Sequence, residues 1–324
     1  MAPPVQLFVT CLVNAFFPEV GAATVTVLER AGAEVEFPAD QTCCGQPAFN
    51  AGFHEQARAM LRHTLQVLDA TEGPIVLPSG SCAAMLVHHG PDLLRDHSAD
   101  HARAQRVAAR TQELSAYLVD TCELEDGIGG SCPGPVAYHA SCHGLRGLGL
   151  DYQPQRLLDE AQAIERVDLE GSEECCGFGG LFSIEMPEVS AAILATKLDN
   201  IEASGAAFVV GTDVSCLMHI GGGLRRREAA IFRSTSTCFA LTSCGMAPNA
   251  STAASRTRPS SSPNSPDNTG AESECPIAPS ACMAPRLEGC VLSVAMAWSL
   301  GRHVSASGRW ASSVAALFRT TTEK

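Results

Sequence analysis

Eight of the fifteen cysteines fall into two matched quartets. Cys11, the doublet Cys43-Cys44 and Cys82 read C-x31-CC-x37-C, and Cys142, the doublet Cys175-Cys176 and Cys216 read C-x32-CC-x39-C. Matching cysteines lie 131, 132, 132 and 134 residues apart. Four thiolates at one point are a donor set for Zn²⁺ or for an iron–sulfur cluster. Zinc sites generally use two short C-x2-C knuckles, which these quartets lack; long intervals around an adjacent doublet suit a larger object touched from several loops. Neighbouring cysteines on a regular strand point to opposite faces, so each doublet must lie in a turn, which Gly45 and Gly177 supply. The run Gly177, Gly179, Gly180 also lets backbone N–H groups approach a cluster, where they stabilise its reduced form and raise its potential. Cys122, Cys132 and the five cysteines after residue 227 stand outside this pattern and are read as structural thiols.

The elements that must bring these thiols together follow from periodicity. Short apolar runs at Val5–Thr10, Ala33–Phe37 and Pro74–Pro78 predict buried strands, and each empties into a cysteine loop. Between them, Pro18–Leu28 and His54–Leu68 predict helices, the second with Ala57, Met60, Leu61, Leu65 and Leu68 on one face. Residues 102–119 continue with helical spacing, and 126–135, rich in Gly and Pro, reads as a linker. The order then recurs: strands at Pro135–His139, Ile164–Leu169 and Ala207–Val210, helices at Pro154–Ala161 and Pro187–Ala203. Strands alternating with helices imply an α/β fold with parallel sheets and right-handed crossovers, whose loops after the strands share one edge. The expected architecture is therefore two homologous halves, 1–120 and 121–227, each a small parallel sheet with helices and with its cysteine loops at the C-terminal strand ends.

Charge marks a further boundary. Residues 1–227 hold 14 Lys and Arg against 29 Asp and Glu, whereas the last 97 residues hold 8 against 6 and are rich in Ser, Thr and Pro. Residues 228–324 are thus expected to be an atypical, disordered-looking tail. With 20 Arg but 2 Lys, the coding sequence is expected to be GC-rich, where alternative frames stay open. Back-translation after Arg227, read from the third codon base, resumes an apolar run of globular type, so the tail is read as a frameshift product. The overall charge of −13 argues against nucleic acid or an anionic membrane surface as partner. No apolar stretch approaches the roughly 20 residues that span a bilayer, and no Lys or Arg precedes Arg30 to make a secretory signal. A cytoplasmic location is expected, where clustered cysteines serve metals or redox chemistry rather than disulfides.

The two quartets resemble the cysteine-rich CCG domain shared by the cysteine-rich component of heterodisulfide reductase, the iron–sulfur component of glycolate oxidase and the lactate-utilisation protein A family. Residues 78–85 (PSGSCAAM), 174–180 (ECCGFGG) and 212–219 (TDVSCLMH) carry the likeness to the last of these, over residues 5–227. The resemblance implies iron–sulfur clusters, of the 4Fe–4S type, held by the eight quartet cysteines. It also implies electron transfer within a complex that oxidises L-lactate, a small 2-hydroxy acid, beside other iron–sulfur proteins. The fullest form of the motif ends in C-x2-C, and here the second positions are Met85 and His219. Loss of those cysteines speaks against the thiol–disulfide chemistry of heterodisulfide reductase, the first alternative; a zinc-stabilised binding module is the second. His219 is retained as a candidate ligand, and Met85 is a weak one. His139 and His143, flanking Cys142, are expected to support the site or lie on the surface. Gly221–Gly223 followed by Arg225–Arg227 is read as a solvated turn or a small anion-docking spot. No phosphate-binding glycine loop and no Ser-His-Asp arrangement is legible.

Overall fold

The computed structural model describes residues 3–122 and 129–227. The proposed tail at 228–324, with its frameshift, and residues 126–128 of the linker lie outside the described residues. The first half runs β1 (Val5–Leu7), α1 (Cys11–Phe16), α2 (Pro18–Arg30), β2 (Val35–Glu36), α3 (Gln46–Asn50), α4 (His54–Asp69), β3 (Ile75–Leu77), α5 (Gly80–Ala84), α6 (Gly90–Leu93), α7 (Ser98–Ala108), β4 (Thr111–Glu113) and α8 (Leu114–Ala116). The second runs β5 (Ser131–His139), α9 (Tyr152–Asp159), β6 (Gln162–Val167), α10 (Phe182–Glu185), α11 (Pro187–Ala203), β7 (Phe208–Gly211) and α12 (Val214–Arg226).

Two parallel sheets result, ordered β2-β1-β3-β4 and β6-β5-β7. The α/β class, the two-fold repetition and the placement of the cysteine loops after the strands agree with the expectation. Strands β1, β3 and β7 are buried end to end, which is why they read as short apolar runs, interrupted in β1 by Gln6, whose amide donates to Glu36. Helix α4 buries Ala57, Leu61, Thr64, Leu65 and Leu68 against the first sheet, and α11 buries Ser190, Leu194, Lys197, Leu198 and Ile201 against the second. Each buried leucine contributes about 1.5–3 kcal/mol relative to leaving it exposed. These helices form the floors on which the doublet loops rest.

Two expectations are corrected. The helix read over 102–119 ends at Ala108; the chain then adds β4 to the edge of the first sheet, pairing Ile75 with Thr111 and Leu77 with Glu113. A three-residue strand that buries Thr111 and Glu113 gives no apolar signal. The triple glycine is not a turn either: α12 runs straight through it, with Gly221 and Gly223 buried. A Cβ on Gly223 would stand 2.7 Å from a Leu198 side-chain carbon, so Gly223 lets α12 lie close on α11. Arg227, at its end, pairs with Asp199 at 2.6 Å rather than standing open as a docking cation.

The halves meet through the loops that precede Cys82 and Cys216. Ser79 and Asp213, residues at equivalent places in the two repeats, form an antiparallel bridge, and the Gly80 N–H donates to the Thr212 carbonyl at 3.1 Å. The buried Asp213 carboxylate accepts from the Ser81 N–H at 2.7 Å and from Ser79 Oγ at 3.2 Å in the first half. Its other oxygen caps α12, accepting from the Ser215 N–H at 3.0 Å. One side chain thus ties the Cys82 loop to the helix that carries Cys216.

Candidate functional site

Each sulfur is placed by a strand end. Cys11 opens α1 after β1, the doublet Cys43-Cys44 follows β2, and Cys82 sits in the first turn after β3. Cys142 follows β5, Cys175-Cys176 follow β6, and Cys216 sits in the first turn of α12 after β7. Because parallel strands put these loops along one edge, residues more than thirty positions apart converge. Cys11 Sγ lies 3.6 Å from Cys43 Sγ, and Cys44 Sγ lies 3.3 Å from Cys82 Sγ. In the second half the Cys175 thiol meets those of Cys142 and Cys176, and Cys176 in turn meets Cys216. All ten described cysteines are free thiols.

The doublets sit in the turns that the glycines allow. Gly45 and Gly177 both adopt φ of +86°, and each donates its N–H to the sulfur two residues back, Cys43 at 3.4 Å and Cys175 at 3.3 Å. Backbone donors therefore face the sulfurs. Thr10, just before Cys11, is held at φ +75°, a strained conformation for a β-branched residue and of the kind that gathers at functional sites.

Burial divides both quartets in the same way. Cys44, Cys82, Cys176 and Cys216 are buried; Cys11, Cys43 and Cys142 are half-buried, and Cys175 is exposed. Each cluster of sulfurs has an apolar floor and an open rim. Crowding also sorts the protons. Hydrogen bonds from the thiols of Cys11 and Cys44 hold Cys43 far below the ordinary thiol range, at about 3, while its partners are pushed up. Cys175 is lowered in the same way by Cys142 and then Cys176, and both partners are raised. Cys43 and Cys175 are thereby biased toward the thiolate, the form of a cysteine that binds a metal cation.

The histidines take different places around the sulfurs. His219, the candidate ligand, places Nε2 at 3.4 Å from Ser190 Oγ and its ring 5.8 Å from that of Phe178. His143 lies edge-on to His89 at 6.4 Å. His139, not singled out as a ligand from the sequence, is wholly buried, and its imidazole comes within 4.8 Å of the sulfurs of Cys176 and Cys216. Burial, helped by the nearby Lys197 ammonium, pushes its pKa down to about 4, so the ring is neutral. Its position at the end of an apolar strand pointing into a cysteine loop was the available signal. Lys197 is itself buried against this quartet and donates to the Gly171 carbonyl. Cys122 and Cys132 join neither quartet: burial raises both, and Cys132 packs with Val136, Leu158, Phe208 and Val210.

Fold and site together define a duplicated cysteine-rich module. A family model described as the CCG cysteine-rich domain matches residues 5–87 and again 136–221. Lactate utilization protein A of Exiguobacterium sp. (strain ATCC BAA-1283 / AT1b) is 45% identical over 226 residues, 69% of this chain and 91% of that protein. The protein of that name from Shouchella clausii is 45% identical over 227 residues, 70% and 94% of the two chains. That from Geobacillus kaustophilus is 44% identical over 222 residues, 68% and 92%. The chain belongs to the lactate utilization protein A family. Among the described residues no helix is long and apolar enough to cross a membrane.

Proposed function

We propose that this protein is an iron–sulfur electron-transfer subunit of a complex that oxidises L-lactate. The observation that carries the reading is the convergence of two thiol quartets, each with a buried floor, an open rim and a backbone N–H aimed at a sulfur. The donor set fits: eight soft sulfurs, of which Cys43 and Cys175 are lowered below the ordinary thiol range by their neighbours, suit iron better than a hard cation. Cys11, Cys43, Cys44 and Cys82 would hold one cluster of the 4Fe–4S type, and Cys142, Cys175, Cys176 and Cys216 another, with His219 beside the second. Such clusters supply reversible one-electron storage. The chain's own part is to keep water from the buried sulfurs, to stabilise added negative charge through the Gly45 and Gly177 N–H groups, and to expose the rim at Cys11, Cys142 and Cys175 to a partner. The names of its relatives support lactate as the source of electrons, and partners within the complex are proposed to be further iron–sulfur proteins.

The test is anaerobic purification with the co-expressed neighbouring proteins of the complex, followed by iron and sulfide analysis and lactate-driven reduction of an artificial acceptor. Iron and acid-labile sulfide in the chain, with reduction on adding lactate, are expected. Colourless protein holding zinc would refute the reading in favour of a structural metal module. Iron–sulfur protein that reduces disulfides and ignores lactate would refute the substrate.

A further inference from the structure

The two quartets are not equivalent, and one buried side chain beside them differs in kind. Counting back from the matching cysteines Cys142 and Cys11, His139 occupies the place that Phe8 holds in the first half. Both residues are 0% exposed. Phe8 packs in one apolar cluster with Cys44 and Cys82, and His139 faces their counterparts Cys176 and Cys216 within 4.8 Å. A phenyl ring needs nothing there. An imidazole does, since both ring nitrogens of His139 are sealed from solvent and neither finds a hydrogen-bond partner of good geometry. Leaving such a group unsatisfied costs about 1–3 kcal/mol, which a purely packing role would have avoided by keeping the aromatic hydrocarbon. The Ser172 carbonyl is the backbone acceptor that acts on the ring. A carbonyl behind a histidine whose other nitrogen meets a metal is a recurrent arrangement.

We propose that His139 is an imidazole donor to the second metal centre, making that centre a mixed sulfur–nitrogen site, while the first, with Phe8 in its place, is all-sulfur. The inference rests on the iron–sulfur reading above. It carries a consequence for electron flow. His139 joins the four thiolates as a neutral donor and adds no negative charge, whereas the Lys197 ammonium, whose field reaches Cys176, Cys142 and Cys175, favours an added electron there. The second centre therefore accepts electrons at a higher potential than the first, and electrons entering at the first settle on the second.

The experiment uses the full chain, reconstituted anaerobically with iron and sulfide and grown with ¹⁵N-labelled histidine. Iron and sulfide analysis comes first: a chain that takes up neither overturns the iron–sulfur reading itself, and with it this inference. Where both are present, pulsed electron paramagnetic resonance of the reduced protein is expected to show a strongly coupled nitrogen in the wild type and in His143→Ala, and to lose it in His139→Phe. Redox titration is expected to show two waves, of which only the higher, that of the second centre, shifts in His139→Phe. Should that variant fail to hold the second centre, His139→Cys supplies a donor of another kind and is expected to restore the iron without the nitrogen coupling. No nitrogen coupling in the iron-loaded wild type, coupling that survives in His139→Phe or His139→Cys, or coupling that vanishes in His219→Ala instead would overturn the proposal.

Discussion

Replacing Gly177 by alanine tests the idea that the doublet turn, rather than the thiols alone, builds the second site. Gly177 holds φ +86°, which costs an L-residue about 1–2 kcal/mol. The added Cβ would also lie 2.6 Å from the Ser190 carbonyl oxygen and 3.3 Å from the Ile193 Cβ. The first contact is short of an ordinary separation by about 1 Å, and the obstacle is helix backbone that cannot rotate away. Relieving it pushes α11 back, an overpacking that costs about 1–3 kcal/mol. The loss for Gly177→Ala is therefore about 2–5 kcal/mol. The shift also disturbs the bond from Ser190 Oγ to the Gly177 carbonyl (2.8 Å) and the Gly177 N–H directed at Cys175, so metal loading falls with stability. Gly205→Ala is the internal control. It sits at φ +70° with nothing within 4 Å of its would-be Cβ, so it carries the backbone cost alone, about 1–2 kcal/mol. Urea unfolding of the metal-free protein gives both values, and iron per chain after reconstitution gives the second readout. If Gly177→Ala loses no more stability than Gly205→Ala and binds as much iron, the close approach of doublet and helix is not what shapes the site.

Three further outcomes are expected. Asp213→Ala removes the α12 cap and strands the buried Ser81 N–H, and should cost about 2–4 kcal/mol in urea unfolding; unchanged stability would show that the carboxylate does not tie the two loops together. Glu113 is fully buried, and desolvation raises its pKa from 4.5 to about 7 against the opposing hydrogen bonds from Ser115 and Ala116. For an acid whose folded pKa is raised, stability is fullest below 4.5 and declines as pH rises toward 7. Glu113→Gln should accordingly remove about 3 kcal/mol of pH dependence across that window, and parallel stability–pH curves for the two proteins would refute it. Cys176→Ser puts a poor iron ligand on the floor of the second centre, and should abolish that centre's signal while the first remains; iron content equal to wild type would exclude Cys176 as a ligand.

Much of the architecture was written in the chain's one-dimensional patterns. The doublet spacing, the apolar runs Val5–Leu7, Ile75–Leu77 and Phe208–Gly211, and the leucine face of α4 are local signals. Once strands alternate with helices, parallel pairing gathers their C-terminal loops whatever the remaining sequence is. That is why four thiols separated by more than thirty residues could be assigned to one point without coordinates. What periodicity does not encode is which side chains meet when two such units come together. Thr111–Glu113 has too little apolar character to announce a strand and is one only because β3 offers it an edge. Gly221–Gly223 has the composition of a turn yet lies within α12, where Gly223 packs so close to Leu194 and Leu198 of α11 that a side chain there would collide. Asp213 stands in the sequence only as part of the 212–219 motif, and the fold places it beside Ser79 and Ser81 of the other half. His139 and Phe8 stand at matching places in matching strands, and their difference gains meaning only when each is seen to face two buried cysteines. Spacing along the chain determined how many thiols could converge; three-dimensional packing, which brings distant surfaces into contact and removes water from them, decided what else they would find there.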